Sequence, residues 1–264
     1  MSIQRIQTII DKEWAEVFKN RLVLFTVVFL PLLFVVLPLG VLYGTRGAGG
    51  LGAGSRDLPP SFAAECGNLP AGECLQYFVL NEFLLLFMVM PLVIPISIAA
   101  YSVVGEKTTR SLEPLLATPV TTLELLVAKG LAAVLPAVLA TWAAFGLFIL
   151  AAPLAGAASD VIHQLLNPTW LLAVFAIGPL IAVLAVSIAV LVSSRVSDPR
   201  VAEQVSAVII VPIIAVLFGQ IAGVIVLDVR FMLIAALVLA IADVGVVYLV
   251  TGLFQRETIL TKWH

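Results

Sequence analysis

The sequence predicts an all-α polytopic membrane protein with six transmembrane helices, and three observations carry that expectation. Of the 264 residues, 62% are hydrophobic and only 11% are charged. The mean hydropathy is +1.16, and the charges fall in clusters between long apolar runs. A water-soluble domain has too little interior to hide so much apolar surface. The net charge of −2 gives no sign of a nucleic-acid partner, so the distribution of charge matters more than its sum.

Residues 1–21 read as an amphipathic helix lying on the inner membrane surface. Ile3, Ile6, Ile10, Trp14, Val17 and Phe18 recur at helical spacing, while Arg5, Lys12, Glu13, Glu16 and Lys19 take the remaining faces. Trp14 suits the headgroup level, and Phe18 continues the apolar side towards the first span. An ordinary juxtamembrane anchor with no mechanical role is the alternative.

A helix needs roughly 20 apolar residues to cross about 30 Å of hydrocarbon. Six runs qualify, over 22–43, 78–104, 130–152, 170–192, 204–227 and 231–253. The first follows Lys19 and Arg21 and precedes small residues, but it is too long for the apolar part of a secretory signal. Only Asp228, Val229 and Arg230 separate the last two, so a re-entrant pair around Gly219 and Gly223 competes with a clean crossing there. Pro31, Pro38, Pro91, Pro95, Pro136, Pro179 and Pro212 fall within the runs and read as accommodated kinks.

Lysine and arginine set the orientation, because cytoplasmic loops retain them. Eleven of the 14 basic residues lie in alternate segments, on one side: Arg5, Lys12, Lys19, Arg21, Lys107, Arg110, Lys129, Arg195, Arg200, Arg256 and Lys262. Only Arg46, Arg56 and Arg230 lie on the other. The expectation is a multi-pass protein of the cell membrane with both termini cytoplasmic, in contact with membrane lipid.

The external loop, 44–77, holds both cysteines. Cys66 and Cys74 flank the turn formers Gly67, Asn68, Pro70 and Gly72, which can bring the thiols together on an oxidising side. A disulfide is expected; two unpaired thiols are the alternative.

The segment 105–129, between the second and third spans, has specific punctuation. Pro119 ends a short helical piece, and Thr121 with Glu124 forms a capping box that starts the next helix. The short piece sets Leu112, Leu115 and Leu116 on one side and Glu106, Lys107, Arg110 and Glu113 elsewhere. A short cytoplasmic amphipathic helix at a membrane hairpin is a natural docking knob for a soluble partner. Further on, Asp198 caps a helix that Pro199 opens, and Arg195 and Arg200 meet lipid phosphates or a partner, or simply fix topology.

Ionisable residues inside the spans are few. Asp243 lies near the middle of the sixth and Glu82 near the outer end of the second, with Gln220 a polar neighbour in the fifth. A buried carboxylate costs several kcal/mol unless paired or neutral, so Asp243 faces the bundle, a subunit interface or a wet path. All three are candidates for a substrate path; a structural, hydrogen-bonded role for Asp243 is the alternative.

Catalysis finds little support. The chain has no G-x-x-x-x-G-K-[ST] phosphate loop, no G-x-S-x-G elbow and no H-E-x-x-H, and its two histidines are His163 and His264. No catalytic residue, metal site or bound cofactor is therefore expected in this chain.

The stretch GEKTTRSLEPLLATPVTTLELLVAKG resembles a pattern of the ABC-2-type permeases, membrane subunits of ATP-binding-cassette exporters. Its features are an acidic-basic pair, a small residue before Leu-Glu, a Thr-Pro and a Gly-Lys-like close, inverted here as Lys129 before Gly130. That resemblance implies a coupling role for 105–129. It also implies a second six-span permease subunit, as homodimer or heterodimer, and two cytosolic ABC ATPase subunits that bind ATP and Mg. A secondary transporter or channel-like protein stands as the alternative, an intramembrane enzyme as a weaker one. The cargo is not legible.

Overall fold

The computed structural model describes residues 3–45, 70–108 and 122–253, and every regular element in them is helical. In chain order these are α1 (Ile3–Val17), α2 (Arg21–Thr45), α3 (Ala71–Phe87), α4 (Met90–Thr108), α5 (Thr122–Ala155), α6 (Ser159–Leu165) and α7 (Pro168–Leu172). There follow α8 (Gly178–Ser193), α9 (Pro199–Ser206), α10 (Val211–Ile221) and α11 (Val229–Leu253). A π-helical turn, Ala173–Ile177, joins α7 to α8, and a 3-10 turn, Ala207–Ile210, joins α9 to α10.

Six of the described rods are long and apolar enough to cross a membrane: Val23–Gly44, Glu73–Gly105, Leu123–Ala155, Pro168–Ser193, Pro199–Ile221 and Val229–Gly252. They are the six spans expected from composition, with four limits clearly shifted. The second begins nearer 73 than 78, and the third at 123 rather than 130. Glu124 and Lys129 do not interrupt the third helix, because both are good helix formers and each meets an opposite charge. The fifth begins at Pro199, not 204, and ends at Ile221, not 227. There Gly223 takes a φ of 71°, Val224 and Ile225 donate back to the Gly219 carbonyl, and Asp228 caps α11 by accepting from Phe231 N at 2.7 Å. The fifth and sixth spans are thus joined by a closed turn between two crossing-length helices.

Three prolines explain where the spans break. A proline has no N–H for the carbonyl four residues back and collides with it. For Pro91, Pro179 and Pro212 those carbonyls belong to Phe87, Phe175 and Val208. They fall at the α3–α4 junction, in the π turn and in the 3-10 turn. Gly178 gives its N–H to Ala173, and Pro179 has none to give, so the Val174 carbonyl takes the indole N–H of Trp142 on α5 at 3.1 Å instead. Pro31, Pro38, Pro95, Pro136 and Pro153 lie inside continuous helices.

The second span is buried over most of its length, whereas the first, fifth and sixth bury little. α4 packs against α8 and α5, α2 against α5, and α11 against α8. Phe87 joins three spans, with ring centroids 6.2 Å from Phe34 and 5.7 Å from Phe148. Towards one end Trp170 donates to Asn81 Oδ1 at 2.7 Å, both wholly buried, and α6 packs on α3. The other end, here called the basal face, gathers α1, the close of α4 and the openings of α5 and α9.

Candidate functional site

α1 lies along α5 and touches α4. Its inward stripe runs Ile6, Ile10, Glu13 and Val17, so Glu13 stands among apolar positions, not on the polar face where the helical pattern alone would set it. The reason is tertiary. Lys129 on α5 donates to Glu13 Oε1 at 2.7 Å and to Ser102 Oγ on α4 at 2.8 Å, and Ser102 Oγ donates to Glu13 Oε2 at 2.5 Å. Both carboxylate oxygens are occupied, and the hydroxyl both donates and accepts.

This clamp is buried: the side chains of Lys129 and Glu13 are 6% and 3% exposed. Charges so placed hold only when paired and fully hydrogen-bonded, and removing one partner strands the other in a medium that cannot solvate it. Nearby contacts reinforce the seat of α1. Trp14 donates its indole N–H to the Ala132 carbonyl at 2.9 Å, and Arg5 approaches the buried Glu124 at 3.9 Å. Trp14 therefore anchors α1 to the third span by a directed bond.

Position along the helices gives the clamp its interest. Ser102 lies six residues before the end of α4, and Lys129 seven after the start of α5. At 1.5 Å per residue each is roughly 10 Å from the connection 109–121. One carboxylate of α1 thus holds both arms of that connection at their roots. A second tie lies beside it, where Ser97 on α4 donates to Glu203 on α9. Around it Ala202 of α9 is buried with Ala100 and Val104 of α4.

Several sequence-selected residues fall elsewhere. Glu106 and Lys107 are in the last turn of α4, with side chains outside the described residues; Arg110, Leu112, Glu113, Leu115 and Leu116 lie wholly outside them. Cys74 is buried and disulfide-bonded, while Cys66 lies outside the described residues. Phe18 follows α1, half-buried, its N–H on the Trp14 carbonyl. Asp198 caps α9, accepting from Arg200 N at 2.8 Å, with Pro199 opening the helix as expected.

Glu82, Gln220 and Asp243 are not joined to one another. Both oxygens of Glu82 and of Asp243, and Oε1 of Gln220, are buried without a hydrogen-bond partner among the described residues. Asp243 is 7% exposed. Two apolar cavities border the sixth span. One, of about 250 Å³, lies between spans two, four, five and six and is lined by Trp170, Ile181, Leu184, Ala235 and Leu239 among others. The second, of about 280 Å³, lies between spans three, four and six, with Val183, Val186, Ser187, Val247 and Val250 on its wall.

Part of the clamp has a signal in the sequence. Lys129 sits in the apolar run Leu125–Ala133, and a lysine so placed needs a counter-ion. α1 offers three carboxylates, Asp11, Glu13 and Glu16, with nothing in the sequence to choose among them, and Ser102 carries no mark of its own.

A family described as ABC-2 family transporter protein matches residues 7–251 of the chain. No curated protein matches it.

Proposed function

This chain belongs to the ABC-2 transporter family, and on that premise we propose that it is the permease subunit of an ATP-driven exporter, forming the pathway while separate ATPase subunits supply the energy. Its six spans and its family make it a multi-pass membrane protein of a transport system. In the proposed arrangement the basal face is cytoplasmic, in keeping with the eleven basic residues assigned to that side. Two copies of a cytosolic ABC ATPase, holding ATP and Mg, dock on the segment 105–129 of this chain and of a second permease subunit. Outside, Cys66 is the partner of Cys74, the only other cysteine in the sequence.

The observation that carries the reading is the hold of Glu13 on both Ser102 and Lys129. A push on 109–121 reaches the two helices that flank it, and the clamp obliges α1 to move with them. Packed helices shift as near-rigid bodies, so a displacement at the basal face becomes a change of access along the spans. In this proposal Glu106, Lys107, Arg110 and Glu113 supply charge-assisted contacts to the ATPase, and Leu112, Leu115 and Leu116 an apolar plug.

Co-expression with the cognate ABC ATPase and purification in lipid nanodiscs tests the proposal. A stable complex containing both subunits is expected. Failure to associate, together with transport driven by a proton or sodium gradient alone, would establish the secondary-transporter reading instead.

A further inference from the structure

The cavity of about 250 Å³ between spans two, four, five and six is walled by the places where those spans break. Met88 at the α3–α4 junction, Ala173 and Ile177 of the π turn and Ile209 of the 3-10 turn all line it. Turns of these kinds have poorer hydrogen-bond geometry than an α-helix, and π turns recur at functional sites. A wall built from them can yield to an occupant.

The cavity also reaches the lipid-facing surface. A closed turn joins spans five and six, yet α10 packs on α3 and the 3-10 turn while α11 packs on α8 and α7. Pro212, Ile213 and Val216 of α10 line the cavity from one span, and Met232, Ala235 and Val238 of α11 from the next. Val238 is 58% exposed, whereas Trp170 and Leu92 are each 1% exposed. The space therefore runs from the membrane surface of the bundle to its core.

Water has no partner inside. No lining side chain carries an ionisable, amide or hydroxyl group, and the indole N–H of Trp170 is given to Asn81. An apolar cavity of about 150 Å³ stays dry and takes up benzene. This one is larger and opens towards hydrocarbon.

We infer that it binds one acyl chain of a membrane phospholipid, entering between spans five and six. The inference rests on the membrane placement given by the spans and the family, and not on the exporter assignment. The volume is below that of a drug-sized pocket, so a segment of one chain fits and a whole lipid does not. The headgroup stays outside, where it has a partner. Leu227 and Phe231 line the cavity beside the closed turn, and Arg230, between them in sequence, is exposed. Its guanidinium can take a phosphate in two parallel hydrogen bonds. Asp228, the acid of the same turn, has Oδ1 on the Phe231 N–H.

The test uses the purified chain in phosphatidylcholine nanodiscs, without any ATPase. A trace of phosphatidylcholine carrying a diazirine near the end of one acyl chain is irradiated, and labelled peptides are mapped by mass spectrometry. Label is expected on the deep wall, at Met88, Leu92 or Trp170, as well as on the exposed Ile234 and Leu237. Ala235→Phe and Val216→Phe, which each fill the cavity, should cut the deep label by roughly tenfold and leave the surface label unchanged. Leu237→Phe, on the exposed side of α11, should leave the deep label as it is. Arg230→Glu should lower it severalfold by setting like charge against the phosphate. Deep label that is absent from wild type, or that survives in both filled variants, overturns the inference. A diazirine fatty acid forms the second arm: deep label from it alone, and not from the phospholipid, overturns the phospholipid as occupant. Full deep label in Arg230→Glu overturns the phosphate contact. Loss of ATPase association in the preceding experiment would leave these results standing.

Discussion

Lys129 gives its ammonium to Glu13 at 2.7 Å, although 116 residues separate the two in sequence and both side chains are almost wholly buried. The bond fixes α1 to the bundle at the roots of the connection through which force is proposed to enter. Its worth lies in geometry more than in net stability, since a buried pair roughly repays its own desolvation.

Breaking the clamp from one side should therefore be costly and from both sides less so. Glu13→Ala or Lys129→Ala is expected to destabilise the protein by about 3–5 kcal/mol, and Glu13→Leu with Lys129→Met by clearly less. Thermal unfolding of the purified variants in one detergent measures both. Losses that simply add in the double variant would show that the two residues do not act as a pair.

Trp142→Phe keeps the ring against Phe175, whose centroid lies 5.3 Å away, but removes the donor to the Val174 carbonyl. A buried carbonyl left without a partner costs about 1–3 kcal/mol. The fall should appear in thermal stability, and absence of any fall would mean that another donor reaches the π turn.

At the turn between the fifth and sixth spans, a Cβ on Gly219 would meet Ile225 Cδ1 at 2.5 Å and Cγ1 at 2.9 Å. Gly219→Ala is expected to cost about 1–3 kcal/mol by overpacking. Ile225→Ala introduced beside it should recover most of that. Gly223→Ala, at a φ of 71°, should cost about 1–2 kcal/mol without rescue from Ile225→Ala. Thermal denaturation of the four variants separates the crowding effect from the conformational one.

Asp243 should behave as a functional residue carried at a cost. With no partner for either oxygen among the described residues, Asp243→Leu should raise stability by about 1–3 kcal/mol, where a structural, hydrogen-bonded carboxylate would lose it. The stability of the unliganded protein decides between them.

Much of this fold is legible in the sequence, because crossing a membrane imposes length and apolarity on each helix separately. The capping of α9 by Asp198 is equally local: an acceptor followed by Pro199 has few other uses. The breaks at Pro91, Pro179 and Pro212 follow from a missing N–H, yet Pro31 and Pro95 look the same in sequence and sit in continuous helices. Which proline breaks a helix depends on whether a neighbour such as Trp142 takes the freed carbonyl. The inward face of Glu13 was hidden for the same reason. A helical wheel sorts residues by polarity, and only the approach of Lys129 and Ser102 makes that carboxylate an inside residue.

The most direct test of the central claim is the rate of ATP hydrolysis by the cognate ABC ATPase, measured alone and after reconstitution with this chain in lipid. Wild type should raise the rate, and Glu113→Arg and Leu116→Asp should lose the stimulation while still inserting and dimerising. Unchanged stimulation in both variants would contradict the assignment of 105–129 as the segment through which the ATPase drives this protein.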